Sequence, residues 1–361
     1  MKSPPAAFDP MENPREILVR GPNWTGDVIM ATPGFRALRA GFPEARITLH
    51  LRESQVPLVR GASWFDEIVP LRAHAGRGWA PIAEARALGR SRAFDLGVCL
   101  PDSFSSALSM RVAGVRHIVG YARNGRSLLL HRAVPLPKGT EGGRGGPMLP
   151  RELHVLGLVE ALGCARQGLQ LELPVMDEDR AEAAAAFESA GGAPQGPYAV
   201  LAPGASFGPS KIWPPENFAR VGDALSERGV TVVLIGTPSE VGLTREVRRW
   251  MRTPVVDLTG KLSLGALKAA VQGARVMVCN DAGARHVAVA FGVPCVVTMG
   301  PTALEKTGLN LQGVQVLTAD VPCRPCYARE CPIDHRCMTQ ISPDRVLAAT
   351  LPALGPTGAA A

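Results

Sequence analysis

The sequence predicts an α/β protein made of two doubly wound, Rossmann-like domains facing across a cleft. Three observations carry that expectation. Short apolar runs end in turns bearing Gly, Asn or Asp and lead into amphipathic stretches, the alternation that builds a parallel sheet covered by helices. This pattern breaks over Gly191-Gly192-Ala193-Pro194-Gln195-Gly196-Pro197 and restarts at Tyr198. A chain of 361 residues that is 46% hydrophobic also suits two domains, each with a sizeable core. Residues 15–190 and 191–341 are assigned to these domains, and 342–361 to a C-terminal helix and tail that packs back on the first.

Taken in order, the first strand is EILVR at 16–20, and 21–27 form the turn into a helix over 28–40. Further strands are read at 47–51, 67–71, 96–100 and 128–135. The stretch PLPKGTEGGRGGPMLP at 135–150 is a loop rich in Gly, Pro and charge. Helices over 152–162 and 177–190 complete the first half. In the second, strands at 198–202, 230–235, 255–258, 276–279, 296–299 and 314–317 alternate with helices at 214–228, 239–251 and 264–273. Ser342 caps a last helix, 343–354, with Pro343 in its first turn. Doubly wound sheets bind ligands at the C-terminal ends of their strands. The strand-end loops are therefore the candidate sites.

A net charge of +7 suits an acidic substrate or an anionic membrane surface. Only three Tyr, without aromatic–basic interleaving, argue against nucleic acid. No apolar run reaches the length of a membrane span. The opening MKSPPAAFDPMENPRE is broken by proline and carries acids, so it reads as a disordered leader and not a signal peptide. A cytoplasmic protein is expected.

Asn280-Asp281-Ala282-Gly283 stands between an apolar strand and a helix, with His286 three residues on. Free N–H groups and the positive dipole end there suit a phosphate, although Asn and Asp cap helices whatever they bind. The turn 21–27 is not GxGxxG, which counts against a dinucleotide oxidoreductase. Its Asp27 is placed to take a proton from a substrate hydroxyl, or only to complement a helix dipole. In PGASFGPSKIWP at 203–214, flexible backbone N–H groups and Lys211 suit a diphosphate. A solvated lysine in a turn is the alternative. Glu240, after the next strand, holds a ribose or favours a helix start. Asp102 and Ser103 line a ligand or form a turn. His50, His74, His117, His131 and His154 have no partner readable in the sequence.

Cys323, Cys326, Cys331 and Cys337 form a C-x2-C-x4-C-x5-C run that encloses His335. A structural zinc, Fe–S ligation and reduced thiols pinning a loop by packing all fit, and packing is favoured because the spacing is not that of a zinc ribbon. Cys99, Cys164, Cys279 and Cys295 sit in apolar contexts and read as core residues.

GPNWTGDVIMATPGFRALR, PGASFGPSKIWPPENFA, LIGTPSE, DLTGKLSL and NDAGARHVAVAFGVPCVVTMGPT occur in this order across nearly the whole chain. In combination they resemble the lipopolysaccharide heptosyltransferases of the family-9 glycosyltransferases. The resemblance implies GT-B architecture, with the acceptor at the N-terminal domain and the nucleotide sugar held mainly by the C-terminal one. It implies inverting transfer of L-glycero-D-manno-heptose from ADP-heptose to the lipopolysaccharide inner core, on heptosyl-Kdo2-lipid A, without a catalytic metal. A family-9 transferase with another acceptor and a non-catalytic nucleotide-binding protein are the alternatives.

By position, Asp27 resembles the general base, Lys211 the phosphate-binding lysine, Glu240 a nucleoside contact and Asp281 the sugar-contacting acid. Gly283 and His286 resemble the phosphate-binding helix start. Ser206 and Ala282 join the donor side, and Asn23, Trp24, Asp102 and Ser103 the acceptor side. Ala282 stands where the family usually has Ser or Thr, and Ile212 where a second basic residue is common. The acceptor implied is a Kdo–lipid A glycolipid, met peripherally at the cytoplasmic face of the inner membrane.

Overall fold

The structure, a computed structural model, describes residues 14–72, 80–138 and 148–355. The leader up to residue 13, His74 and the centre of the 135–150 loop lie outside the described residues. The chain divides into two compact units, residues 1–174 with 305–309, and residues 175–304 with 310–361.

The first unit holds a parallel sheet of β1 (Glu16–Arg20), β2 (Arg46–Arg52), β3 (Glu67–Leu71), β4 (Leu96–Cys99), β5 (His117–Tyr121) and β6 (Arg132–Val134). Their order is β3-β2-β1-β4-β5-β6. The inner strands are buried along almost their whole length, which is why they read as continuous apolar runs. The helix expected over 28–40 is two helices, α1 (Thr25–Met30) and α2 (Thr32–Gly41), broken at Ala31. Pro33 has no N–H to offer the carbonyl of Ile29, and the Thr32 hydroxyl donates to that carbonyl instead, at 2.8 Å. The remaining helices are α3 (Val56–Val59), α4 (Ala80–Ser91), α5 (Phe104–Val112) and α6 (Arg151–Glu160). A Cβ on Gly34 would lie 2.4 Å from Val155, so this glycine lets α2 pack flush on α6. The strand expected over 128–135 begins as a 3-10 turn, Arg126–Leu129, and pairs only over Arg132–Val134.

The second unit holds β7 (Tyr198–Ala202), β8 (Thr231–Leu234), β9 (Val256–Asp257), β10 (Val276–Asn280), β11 (Cys295–Thr298) and β12 (Val314–Leu317). The order β12-β11-β10-β7-β8-β9 is that of the first sheet when numbered from its own first strand. Its helices are α7 (Asp177–Ser189), α8 (Pro215–Ser226), α9 (Val241–Trp250), α10 (Leu264–Gln272), α11 (Gly283–Ala290), α12 (Arg336–Thr339) and α13 (Pro343–Thr350). Trp213, fully buried, meets Phe218 edge-on at 5.0 Å and donates its indole N–H to the carbonyl of Ile341 at 2.9 Å. Ser342 accepts the N–H of Arg345 and so caps α13. That helix, read from sequence as returning to the first domain, packs on α8 and β11 of the second unit.

The division falls at Pro174, ahead of the Gly/Pro stretch at 191–197, because α7 packs on α10. Asp179 of α7 pairs with Lys268 of α10 at 3.1 Å, and both side chains are buried. Asp179 also accepts the N–H of Met176 and closes the start of α7. Among the described residues no helix is long and apolar enough to cross a membrane.

Removing one partner of a buried pair leaves the other charge uncompensated. Lys268→Met is expected to cost about 3–5 kcal/mol in urea unfolding. Asp179→Leu made with it should recover most of that loss, short of the roughly 1 kcal/mol cap at Met176.

Candidate active site

In the second sheet the strand order reverses between the neighbours β7 and β10. Loops leaving these strands diverge to opposite sides and open a crevice at their C-terminal ends. Asn280 and Asp281 stand there, and neither caps α11. The cap position is Ala282, which makes no side-chain capping bond. Asn280 instead rivets both ends of the loop after β7 to β11: its amide donates to the Pro203 carbonyl at 2.6 Å, and its oxygen accepts from Trp213 N at 3.1 Å and the Thr298 hydroxyl at 2.8 Å.

The Asp281 carboxylate receives Lys211 Nζ at 2.6 Å, the Thr302 hydroxyl at 2.7 Å and Arg285 Nη1 at 3.5 Å. Burial alone would raise its pKa. Lys211, Thr302 and Arg285 outweigh burial and hold the carboxyl at about 2. Lys211 is therefore not a solvated turn residue, because a second bond ties its ammonium to the Asp281 carbonyl at 3.0 Å. Two cations around one carboxylate leave an excess of positive charge beside the free N–H groups that open α11. That charge suits an anion. His286, on the first turns of α11, is buried, and desolvation with the nearby Arg285 pushes it down to about 3, so its ring is neutral.

Glu240 closes another side of this crevice. Thr237 N–H donates to its carboxylate at 2.7 Å. A Cβ on Gly204 would lie 2.0 Å from Glu240 Oε1, so only glycine lets this carboxylate rest on the loop after β7. Ser206 is exposed on the same loop, and Ile212 is half-buried. The Phe207 ring takes Lys211 at 5.1 Å and Arg329 at 5.9 Å. Thr302, Arg285 and Arg329 were not distinguished in the sequence, since their partners are distant or their residue types common.

The first sheet reverses between β1 and β4. Asp27 lies in the first turn of α1, partly exposed, with Arg151 Nε at 3.7 Å. Asn23 accepts from Arg20 Nη2 at 2.8 Å and fixes the turn, while Trp24 is 55% exposed. Ser103 caps α5 by accepting Ser106 N–H. Asp102 is a hub: Arg126 stands at 3.2 Å, His154 Nε2 at 3.3 Å and Arg123 at 3.4 Å. Burial pushes the Asp102 carboxyl up, but His154 and the surrounding arginines bring it below the usual range.

His154 Nδ1 meets Arg151 Nη1 at 3.2 Å. A guanidinium only donates, so Nδ1 accepts and Nε2 carries the proton towards Asp102. Burial lowers the pKa of this ring, which keeps it neutral. The result is a chain from Asp102 through His154 and Arg151 to Asp27, assembled from residues far apart in sequence.

Cys331 Sγ accepts the N–H of His335 at 3.3 Å, and burial lifts the Cys337 thiol to about 11. Among the described residues no three or more His, Cys, Asp or Glu side chains are grouped to hold a metal ion.

A histidine held neutral in the fold takes up its proton only on unfolding. His286 at about 3 and His50 at about 4 thus cost stability as pH falls below about 6.5, until their own folded values are reached. The urea midpoint is expected to fall between pH 7 and pH 4, and His286→Gln should flatten that slope. Asp281 works in the same sense over a more acid window, since its contribution survives down to about pH 4 and is lost only towards pH 2.

Residues 83–336 match the sequence profile of glycosyltransferase family 9 (heptosyltransferase). Lipopolysaccharide heptosyltransferase 2 of Escherichia coli (strain K12) is 28% identical over 348 residues, which are 92% of this chain and 96% of the relative. Lipooligosaccharide heptosyltransferase 2 of Haemophilus ducreyi is 25% identical over 92% of this chain and 97% of its own length. The solved E. coli ADP-heptose LPS heptosyltransferase II superposes with a TM-score of 0.75 at 25% identity, covering 94% of this chain and 98% of that one. A family-9 transferase from Veillonella parvula superposes with a TM-score of 0.75 at 23% identity, covering 84% and 85%. The two doubly wound units are thus shared with solved family-9 transferases, and this chain belongs to glycosyltransferase family 9 and is a glycosyltransferase.

Proposed function

We propose that the protein transfers L-glycero-D-manno-heptose from ADP-heptose to the inner core of lipopolysaccharide, with inversion at the anomeric carbon. The observation that supports this most is the pairing of Lys211 and Arg285 with the single carboxylate of Asp281 at the start of α11, a positive surplus beside backbone donors that suits a diphosphate. In this reading the Asp27 carboxylate takes the proton of an acceptor hydroxyl. The freed oxygen attacks the anomeric carbon as the bond to the diphosphate breaks. ADP leaves with the electron pair, and Lys211 and the α11 N–H groups neutralise its growing charge. Glu240, at the loop after β8, is the nucleoside contact, and Ser206 lies on the diphosphate loop.

The acceptor in this reading is heptosyl-Kdo2-lipid A, an anionic glycolipid. Arg123 and Arg151, gathered by Asp102 and His154, suit its charged groups, and the net positive charge suits peripheral contact with an anionic membrane face. No step of this chemistry calls on a cofactor.

The test is transfer from ADP-heptose to heptosyl-Kdo2-lipid A in EDTA. Asp27→Ala should lower kcat by roughly 10²–10⁴-fold with ADP binding unchanged. Lys211→Ala should weaken ADP by about tenfold or more, as loss of a charge-assisted contact does. A rate in Asp27→Ala equal to the parent sinks the base assignment. Turnover only on acceptor lacking the first heptose moves the protein to an earlier step of core assembly.

A further inference from the structure

The cysteine-rich segment is unused by this chemistry, yet it grips the two loops that meet at Asp281. On one side it holds the loop after β7. Ser210 N–H donates to the Arg329 carbonyl at 3.1 Å, and the Ser210 hydroxyl to the Ala328 carbonyl at 2.6 Å. A Cβ on Gly208 would lie 2.5 Å from the Arg329 carbonyl oxygen, so the two backbones touch. On the other side it holds the loop after β11. Cys326 and Tyr327 both donate N–H to the Pro301 carbonyl, at 3.1 and 2.9 Å, and Arg324 Nε donates to the Gly300 carbonyl at 2.6 Å. Lys211 follows Ser210, and Thr302 follows Pro301. The segment therefore sets, from behind, the spacing of the two groups that hold Asp281 from the front.

His335 carries the contact nearest to Lys211. Its Nε2 lies 2.7 Å from the Ser210 carbonyl oxygen. A carbonyl only accepts, so Nε2 bears the proton and donates. The backbone of His335 is left-handed (φ 59°), and its N–H is received by Cys331 Sγ. A thiol thus fixes the backbone at the residue whose ring holds the phosphate loop.

We propose that the segment Cys323–Cys337 is a clasp on the donor site and that His335 is a positioning residue for Lys211, acting through the Ser210 carbonyl. The inference rests on the assignment of the Lys211 crevice to the diphosphate of the donor. Its effect belongs in donor affinity, because His335 reaches no reacting atom.

The test compares the full-length protein with His335→Ala and His335→Gln, reading ADP affinity by calorimetry and then KM and kcat for ADP-heptose. Loss of one neutral hydrogen bond should weaken ADP and raise KM about fivefold in His335→Ala, with kcat within twofold of the parent. The glutamine amide reaches the same carbonyl as a donor, so His335→Gln should restore most of the affinity. ADP affinity in His335→Ala equal to the parent overturns the proposal. So does a glutamine variant as weak as the alanine one, or a loss shared equally by kcat and KM, either of which marks a purely structural role. A parent that binds ADP but transfers no heptose overturns the functional reading and leaves the affinity comparison standing. A parent that binds no ADP overturns both.

Discussion

A carboxylate buried at the end of β10 has to be met by cations, and that requirement organises the second unit. Stripping Asp281 of water costs several kcal/mol after relaxation. Lys211, Thr302 and Arg285 offset it, and they arrive from the loop after β7, the loop after β11 and the body of α11. Neutralising one charge therefore locks three separate elements together. Asn280, one residue earlier, ties both ends of the loop after β7 to β11 with neutral bonds to Pro203, Trp213 and Thr298. Because two cations answer a single anion, the cluster keeps a positive surplus where α11 presents its N–H groups. The packing problem and the affinity for an anion have a common solution.

The first unit repeats this device with a different outcome. β4 occupies in its sheet the place that β10 occupies in the other, and each is followed by an aspartate at the reversal of strand order, Asp281 buried and Asp102 half-buried. Asp102 gathers Arg126, Arg123 and His154, and through His154 it steadies Arg151. There the surplus of cations is carried towards the side chain of Asp27. No repeat is legible in the residues, because strand order depends only on where apolar runs and turns fall. The loops that carry the charges are free to differ.

Legibility followed unbroken apolar runs. β1 and β7 have the bounds those runs announce, since strands buried along most of their length leave a continuous trace. β5 was not read, because HIVGY is short and follows an arginine. The break at Ala31 depends on one missing donor at Pro33. The side on which α7 packs depends on Asp179 meeting Lys268, a partner that an Ala/Glu-rich helix does not advertise. In the site, Asp27, Lys211, Glu240 and Asp281 were legible as polar residues at strand ends. Their partners were not.

By itself the sequence determined two doubly wound sheets, the strand-end loops that carry chemistry and the family to which the chain belongs. Hydrophobic periodicity and ordered motifs are local properties, and they survive in a linear text. Only the tertiary structure decided which charges meet. Lys211 finds Asp281 across 70 residues, and His335 finds Ser210 across 125. Contacts of that span depend on how the strands are ordered and how their loops emerge. No spacing in the sequence records them, so the clasp and the Asp102–His154–Arg151–Asp27 chain became visible only in the fold.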